Sequence, residues 1–253
     1  IEWPPGALSS QPPIEECRLA LRRRMGFSND VRIAVGIERF DYTKGILDRM
    51  KAVGALLSMH PEWREKFVFV QAAAPTRSKL ATYSALQAEA VRLAEEINDR
   101  FGTENWKPIH LIVRHHEQNE VYELFRAAEI CVVSSLHDGM NLVAKEFVAA
   151  RDDELGVLIL SSFAGAAREL SEALIVNPYD TNSMAVAMDR ALLMTEYEQR
   201  ERMRFMRDLV RQHNVYGWAA QMLLHAARLR KRERIMMAAT RMGTPVHRNG
   251  RLF

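Results

Sequence analysis

The alternation of apolar and polar positions divides most of this chain into strand-like and helix-like segments. Six short apolar runs, several rich in β-branched residues, predict buried strands at 31–37, 67–73, 109–113, 130–134, 157–160 and 174–176. Segments with helical spacing lie between and beyond them, at 46–59, 79–101, 119–127, 142–151, 164–170 and 180–194. This alternation predicts an α/β fold, a doubly wound parallel sheet (Rossmann-like) covered by helices on both faces.

The two ends of the chain differ from this alternating region. Residues 1–13 include four prolines, which discourage regular structure, so we predict a linker there. The predicted domain spans 14–227, and helical patterns continue to about residue 239. The segment 228–253 is a basic C-terminal tail, with eight Lys and Arg and one acid between residues 228 and 251. A solvated terminus explains this tail better than an anion-binding arm, because neither interleaved aromatics nor a nucleic-acid motif accompany the charges.

Composition limits the classes of partner. The 253 residues are 48% hydrophobic and 26% charged, which suits an ordinary globular protein. The net charge of +3 predicts neither nucleic acid nor membrane as a partner, and no apolar run approaches the roughly 20 residues of a membrane span. Two distant cysteines, Cys17 and Cys131, favour a reducing compartment, so we expect a cytoplasmic protein.

In doubly wound folds the loops that follow the strands line the ligand site. The loop 38–45 carries Arg39 and Lys44 just before a helix, whose start offers free amides and a partial positive charge. Arginine can bind two phosphate oxygens and lysine acts as a point charge, so the loop can clamp a diphosphate. Its position alone is equally compatible with two solvated cations. Arg77 follows the second strand and would face the same crevice.

The loop after the fourth strand carries the strongest signal, the sequence DGMNLVAKE at 138–146. Asp138 and Glu146 are about two helical turns apart, so the turn and one helix face can present both carboxylates to sugar hydroxyls. In the alternative interpretation, Asp138 caps the helix and Glu146 is solvated.

Adjacent histidines, His115 and His116, follow the third strand and suggest a metal site. However, neighbours on an extended strand point to opposite faces, and no third ligand lies at helical spacing. We therefore interpret this pair as structural or as a backbone contact, and we predict no metal site.

Four segments occur in one order along the chain: RFDYTKG at 39–45, DGMNLVAKE at 138–146, FAGAA at 163–167 and VNPYD at 176–180. Together they resemble the C-terminal half of trehalose-6-phosphate synthases, over roughly residues 30–225. The resemblance implies the C-terminal half of a GT-B fold, in which two Rossmann-like domains face each other across a cleft. It also implies a glycosyltransferase of trehalose biosynthesis that uses UDP-glucose and glucose 6-phosphate, retains the anomeric configuration and needs no metal or other cofactor.

Roles follow from the resemblance by motif position. Arg39 and Lys44 would be catalytic, stabilising the diphosphate of the leaving UDP, and Arg77 would contact the acceptor phosphate. Asp138 would bind a glucose hydroxyl and Glu146 the ribose hydroxyls. The other donor-binding positions act through their backbone, and they are Gly139, Met140, Asn141, Leu142, Val143 and, beside the uracil, His116.

Two departures bear on the acceptor. Ser134 to His137 reads SSLH where the family more often has Thr-Pro-Leu-Arg, and Lys79 stands where an acid is more usual. Glucosylglycerol-phosphate synthases share much of the donor loops and Lys79 points toward them, whereas Arg77 favours the trehalose branch. The choice of base between UDP and GDP and the oligomeric state stay open.

An acceptor-binding domain is not found in these 253 residues. The chain alone is therefore expected to bind the donor but to transfer sugar poorly or not at all. A non-catalytic sugar-nucleotide-binding regulatory module is the alternative hypothesis.

Overall fold

The computed structural model describes residues 1–76 and 81–241. Its centre is one six-stranded sheet in which every pairing is parallel. The strands are β1 (Arg32–Arg39), β2 (Phe67–Ala74), β3 (Ile109–Val113), β4 (Ile130–Val133), β5 (Val157–Ser161) and β6 (Leu174–Val176). These pairings confirm the predicted doubly wound sheet. Its strands are continuous apolar runs because helices cover both faces of a parallel sheet.

The α-helices of the described residues follow the predicted succession. They are α1 (Ile14–Met25), α2 (Ile46–Met59), α3 (Ala81–Phe101), α4 (Gln118–Ala127), α5 (Leu142–Ala150), α6 (Thr181–Leu193), α7 (Glu196–Gln212) and α8 (Val215–Arg241). The helix predicted at 164–170 is a shorter 3-10 helix, Gly165–Arg168. None of the helices in the described segments is long and apolar enough to cross a membrane.

The strand order locates the point at which doubly wound folds bind their ligands. The order is β3-β2-β1-β4-β5-β6, so the chain moves outward in one direction from β1 and then returns to start again at β4. In doubly wound folds the helices that follow these two strands lie on opposite faces of the sheet, and the crevice outside the carboxyl ends of the strands is where ligands bind. The loops predicted to carry chemistry, 38–45 and 138–146, follow these two strands.

The N-terminal segment 1–13, predicted as a linker, lies against the domain. It contains the 3-10 helix Gly6–Ser10, and Trp3 packs against the core. The guanidinium carbon of Arg207 lies over the Trp3 ring, 5.1 Å from the ring centre. The predicted basic tail begins inside α8, which is helical to Arg241. Residues 242–253 lie outside the described part of the chain.

Candidate active site

The loops that follow β1 and β4 contact each other directly. The backbone N–H of Leu136 donates to the Thr43 carbonyl (2.7 Å), and the Ser134 hydroxyl donates to the Gly45 carbonyl (2.9 Å). Gly45 has a φ of 63°, and a Cβ atom there would collide with the Ser134 carbonyl oxygen. Only glycine allows both this conformation and this approach. The two loops therefore form one continuous wall of the crevice.

Lys44 and Asp138 form an ion pair across this wall. The Lys44 Nζ lies 2.5 Å from the Asp138 Oδ2, and their side chains are 20% and 16% exposed. Asp138 also accepts hydrogen bonds from the Met140 N–H (3.3 Å) and the Asn141 side-chain amide (3.1 Å). Burial acts to raise the pKa of Asp138, but the hydrogen bond and charge of Lys44 outweigh it and hold that pKa below its ordinary value. Lys44 and Asp138, two residues predicted to bind the sugar donor, are 94 residues apart in sequence and form an ion pair in the structure.

The interpretation of Asp138 as the cap of α5 is wrong. Asn141 occupies the N-cap position, and its side-chain oxygen accepts from the Ala144 N–H (3.1 Å). Asn141 adopts a φ of 73°, a left-handed conformation that asparagine tolerates better than most residues. As at any helix start, the N–H groups of Leu142 and Val143 have no partner within the helix, so they can meet an anion.

The turn at 138–140 rests on the loop that follows β5. The Gly165 N–H donates to the Asp138 carbonyl (3.0 Å) and the Ala166 N–H to the Met140 carbonyl (2.7 Å). A Cβ atom on Gly165 would collide with the carbonyl oxygen of Gly139. The small residues at 163–167 therefore support the turn of the donor loop from below.

Arg39 is the last residue of β1, and its side chain is exposed. Within the ranges 1–76 and 81–241, its guanidinium has no hydrogen bond or ion pair. An exposed cation, close enough to Asp41 for their charges to interact, therefore stands at the carboxyl end of the strand from which the Lys44 loop departs.

The His116 side chain makes no contact with the Lys44–Asp138 pair. The His116 imidazole is buried, with its Nδ1 3.2 Å from the Glu120 Oε2, so only its backbone is available to a ligand. Arg77 falls outside the described residues. The group of potential metal ligands found in the described chain is His60, Glu62 and Asp189, which include neither His115 nor His116.

Glu146 lies on α5, half-buried, and makes no hydrogen bond or ion pair with any described residue. Burial raises the pKa of its carboxyl above the ordinary value. A carboxylate that folding buries without a partner reduces stability when it is ionised. This cost is what a ligand-binding residue, rather than a stabilising one, is expected to show.

We therefore expect Glu146→Gln to raise the free energy of unfolding at neutral pH while weakening the binding of UDP. With a raised folded-state pKa, the wild-type chain loses stability as the pH rises from about 4.3, the ordinary glutamate value, through the higher folded-state pKa. At about pH 3 the carboxyl is protonated in both folded and unfolded states, so the advantage of the variant should vanish. Urea unfolding at both pH values and calorimetric titration with UDP measure these effects. A variant no more stable at neutral pH would contradict the expectation.

A second ion pair, Glu38 with Arg49, was missed by sequence reasoning. The Arg49 Nη2 lies 2.6 Å from the Glu38 Oε1, and the two side chains are 0% and 2% exposed. Burial raises the pKa of the Glu38 carboxyl, and the charge of Arg49 opposes that rise. The available signal was an arginine among the apolar positions of α2, between Ile46 and Val53 on the face that packs on the sheet.

Comparison with known proteins finds relatives of the part of the chain that contains these loops. The sequence profile of glycosyltransferase family 20 matches residues 7–228. A bifunctional trehalose-6-phosphate synthase/phosphatase of Thermoproteus tenax is 39% identical over 215 residues, 85% of this chain and 29% of that protein. A trehalose-6-phosphate synthase of Klebsiella pneumoniae is 40% identical over 193 residues, 76% of this chain and 41% of that protein. The chain thus spans less than half the length of these relatives.

Solved structures match the fold as well as the sequence. The Escherichia coli trehalose-6-phosphate protein bound with UDP-2-fluoro glucose superposes with a TM-score of 0.80 at 35% identity, covering 86% of this chain and 48% of that chain. The UDP-forming α,α-trehalose-phosphate synthase of Burkholderia xenovorans in complex with glucose-6-phosphate gives a TM-score of 0.78 at 39% identity, covering 84% and 48%. The resemblance read from the four sequence segments is confirmed, and the chain belongs to glycosyltransferase family 20.

Proposed function

We propose that this chain binds UDP-glucose as the donor half of a retaining glucosyltransferase that makes trehalose 6-phosphate. The observation that carries the proposal is the Lys44–Asp138 pair outside the carboxyl ends of β1 and β4, with 2.5 Å between the charged atoms and the exposed Arg39 at the end of the adjoining strand. A sugar diphosphate offers anionic oxygens to the two cations and hydroxyls to the carboxylate. The relative bound with UDP-2-fluoro glucose supports the same ligand class.

The chemical contribution of this chain is to stabilise the leaving group. As the bond between the glucose C1 and the diphosphate oxygen breaks, negative charge grows on UDP, and fixed cations stabilise that charge in the transition state. Arg39 and Lys44 are these fixed cations. The backbone amides of Leu142 and Val143 face the phosphates. Two side-chain cations provide the neutralisation that a metal ion gives elsewhere, and this favours a metal-independent reaction.

The remaining contacts follow the same geometry. Asp138 binds a glucose hydroxyl with the backbone of Gly139, Met140 and Asn141 nearby, Glu146 binds the ribose hydroxyls, and the backbone at His116 borders the uracil. Glucose 6-phosphate is bound mainly by a further domain, with Arg77 toward its phosphate. The buried free thiols of Cys17 and Cys131 fit a reducing compartment, and we place the protein in the cytoplasm.

Calorimetric titration of the 253-residue chain with UDP, UDP-glucose and GDP tests donor binding. We expect saturable binding of UDP and UDP-glucose, weaker binding of GDP, and a loss of UDP affinity of about tenfold or more in Lys44→Ala, as for a charged hydrogen bond. Thermal unfolding in a scanning calorimeter and circular dichroism check that the variant is folded. If the wild-type chain bound neither UDP nor UDP-glucose, or if Lys44→Ala bound UDP unchanged, the proposal would fail.

A further inference from the structure

A single buried guanidinium joins the three chain segments that border the crevice. Arg49, in the first turn of α2, donates through Nη2 to Glu38 (2.6 Å) near the end of β1 and to the backbone carbonyl of Lys44 (2.9 Å). Through Nη1 it donates to the Val132 carbonyl (2.7 Å) near the end of β4. The same group therefore holds the first strand, the cation-bearing loop and the fourth strand in one arrangement.

The sheet leaves space for this guanidinium at Gly36. A Cβ atom there would lie 2.5 Å from the Arg49 Nη1 and 2.8 Å from the Gln71 Oε1. Gln71, which is buried on β2, donates to the Gly36 carbonyl (3.0 Å). Because any side chain at position 36 would displace the guanidinium, the absence of one in the middle of a buried strand is explained by Arg49.

Stability does not account for burying two charges at this place. Removing an ion pair from water costs several kcal/mol per ion, and well-packed apolar residues of the same volume are often equally stable or more so. A planar guanidinium does provide donors in fixed directions, which an apolar group cannot. The network is therefore better explained by the geometry it imposes, and the group it fixes on the crevice side is the backbone of Lys44.

The Lys44 segment is held from a second direction as well. The Ser134 hydroxyl lies 3.4 Å from the Lys44 carbonyl and donates to the Gly45 carbonyl at 2.9 Å. The backbone at 44–45 is thus fixed from beneath by Arg49 and from the side by Ser134, while the Lys44 ammonium extends to Asp138. Only the lysine side chain is left to adjust to a ligand.

We propose that Arg49, held in place by Glu38, is a positioning residue that aims the Lys44 ammonium at the donor diphosphate. This inference rests on the proposed function, because it requires Lys44 to contact the diphosphate. Arg49 itself is fully buried, so its side chain is not accessible to a ligand. Its contribution to donor binding therefore passes through Lys44, and it should disappear when the lysine ammonium is removed.

A double-mutant cycle tests this dependence. The 253-residue chain is titrated with UDP as wild type, Arg49→Lys, Lys44→Ala and the double variant. Lysine keeps the buried charge opposite Glu38 but cannot reach three oxygens in three directions. We expect Arg49→Lys to weaken UDP binding about tenfold when Lys44 is present and less than about twofold in the Lys44→Ala background. Glu38→Gln enters the same cycle if Arg49→Lys does not fold.

Arg151→Lys is the matched control. Arg151 is also fully buried, pairs with Asp153 at 2.9 Å and donates to the Ala128 carbonyl, but it lies at the amino ends of the strands. We expect it to lower the melting temperature as Arg49→Lys does while leaving the UDP affinity unchanged, since a general loss of stability does not move the donor site.

The outcomes separate this inference from the function on which it rests. Wild-type binding together with equal losses from Arg49→Lys in both backgrounds, or with no loss at all, would overturn the positioning role and leave donor binding intact. Equal loss of UDP affinity in Arg151→Lys would overturn it too. Absence of wild-type binding, or an unaffected Lys44→Ala variant, would instead reject the proposed function and this inference with it.

Discussion

Replacement of Arg39 by alanine is expected to slow glucosyl transfer by the complete enzyme about 100-fold or more, the size of effect seen when one fixed transition-state donor is removed. Arg39 stands at the end of β1 without a partner in the described ranges, so its charge is available to the diphosphate. Lys44, by contrast, is already paired with Asp138. Since the bound diphosphate is already anionic and gains further charge in the transition state, the loss should appear in kcat and also as a raised KM for UDP-glucose.

Steady-state kinetics of the full-length enzyme with UDP-glucose and glucose 6-phosphate measure this effect. Arg39→Lys should lie between wild type and Arg39→Ala, because lysine keeps the charge but not the two-point contact with phosphate. Arg32→Ala is the control, since Arg32 is an exposed arginine at the opposite end of the same strand. A kcat for Arg39→Ala within about twofold of the Arg32→Ala value would rule out the assigned role.

The second large effect concerns stability. We expect Arg49→Met to lower the free energy of unfolding by about 3–5 kcal/mol, because it leaves the Glu38 carboxylate buried without its counter-charge. A domain has only about 5–15 kcal/mol to lose, so this single change removes much of the margin. Equilibrium unfolding in urea, followed by circular dichroism, gives the value for each variant.

The double variant Glu38→Leu/Arg49→Met tests whether the stability is lost because the Glu38 carboxylate is left buried without a partner or because the contacts of Arg49 are removed. Removing both ions relieves the burial of an unpaired carboxylate, so most of the lost stability should return. A double variant as unstable as Arg49→Met would show that the arginine stabilises the fold through its backbone contacts rather than through Glu38. UDP affinity should remain low in the double variant even as stability recovers, since nothing then fixes the Lys44 backbone.

Most of the fold was predictable because strands buried on both faces are continuous apolar runs. The boundaries of β3 and α2 are the predicted ones, and the helix predicted from residue 180 begins at Thr181, with the Asp180 side chain accepting from the Ser183 N–H. The segment 1–13 was harder, because prolines show that a segment is irregular but not whether it packs. Trp3 beneath Arg207 depends on a partner more than 200 residues away.

In the site, too, local features were predictable from the sequence and contacts between distant residues were not. The loops at 38–45 and 138–146 were identified from their place after strands, and the order of the sheet brings them together. The Lys44–Asp138 pair was not predicted, because sequence spacing carries no information on contacts between distant loops. Asp138 was considered as an alternative cap of α5, since Asp and Asn both favour that position; the hydrogen bond from the Ala144 N–H to the Asn141 side chain decides between them.

The Lys44–Asp138 contact also bears on selectivity against the small anions that are abundant in cells. Inorganic phosphate can compete for the lysine, but its negative charge is repelled by the carboxylate that it leaves without a counter-charge. In the proposed donor complex, a sugar diphosphate would supply replacements for both halves of the pair at once. The self-satisfied charge pair therefore penalises a ligand that carries only one of the two chemistries, and the resting site discriminates before any binding energy from the base is counted.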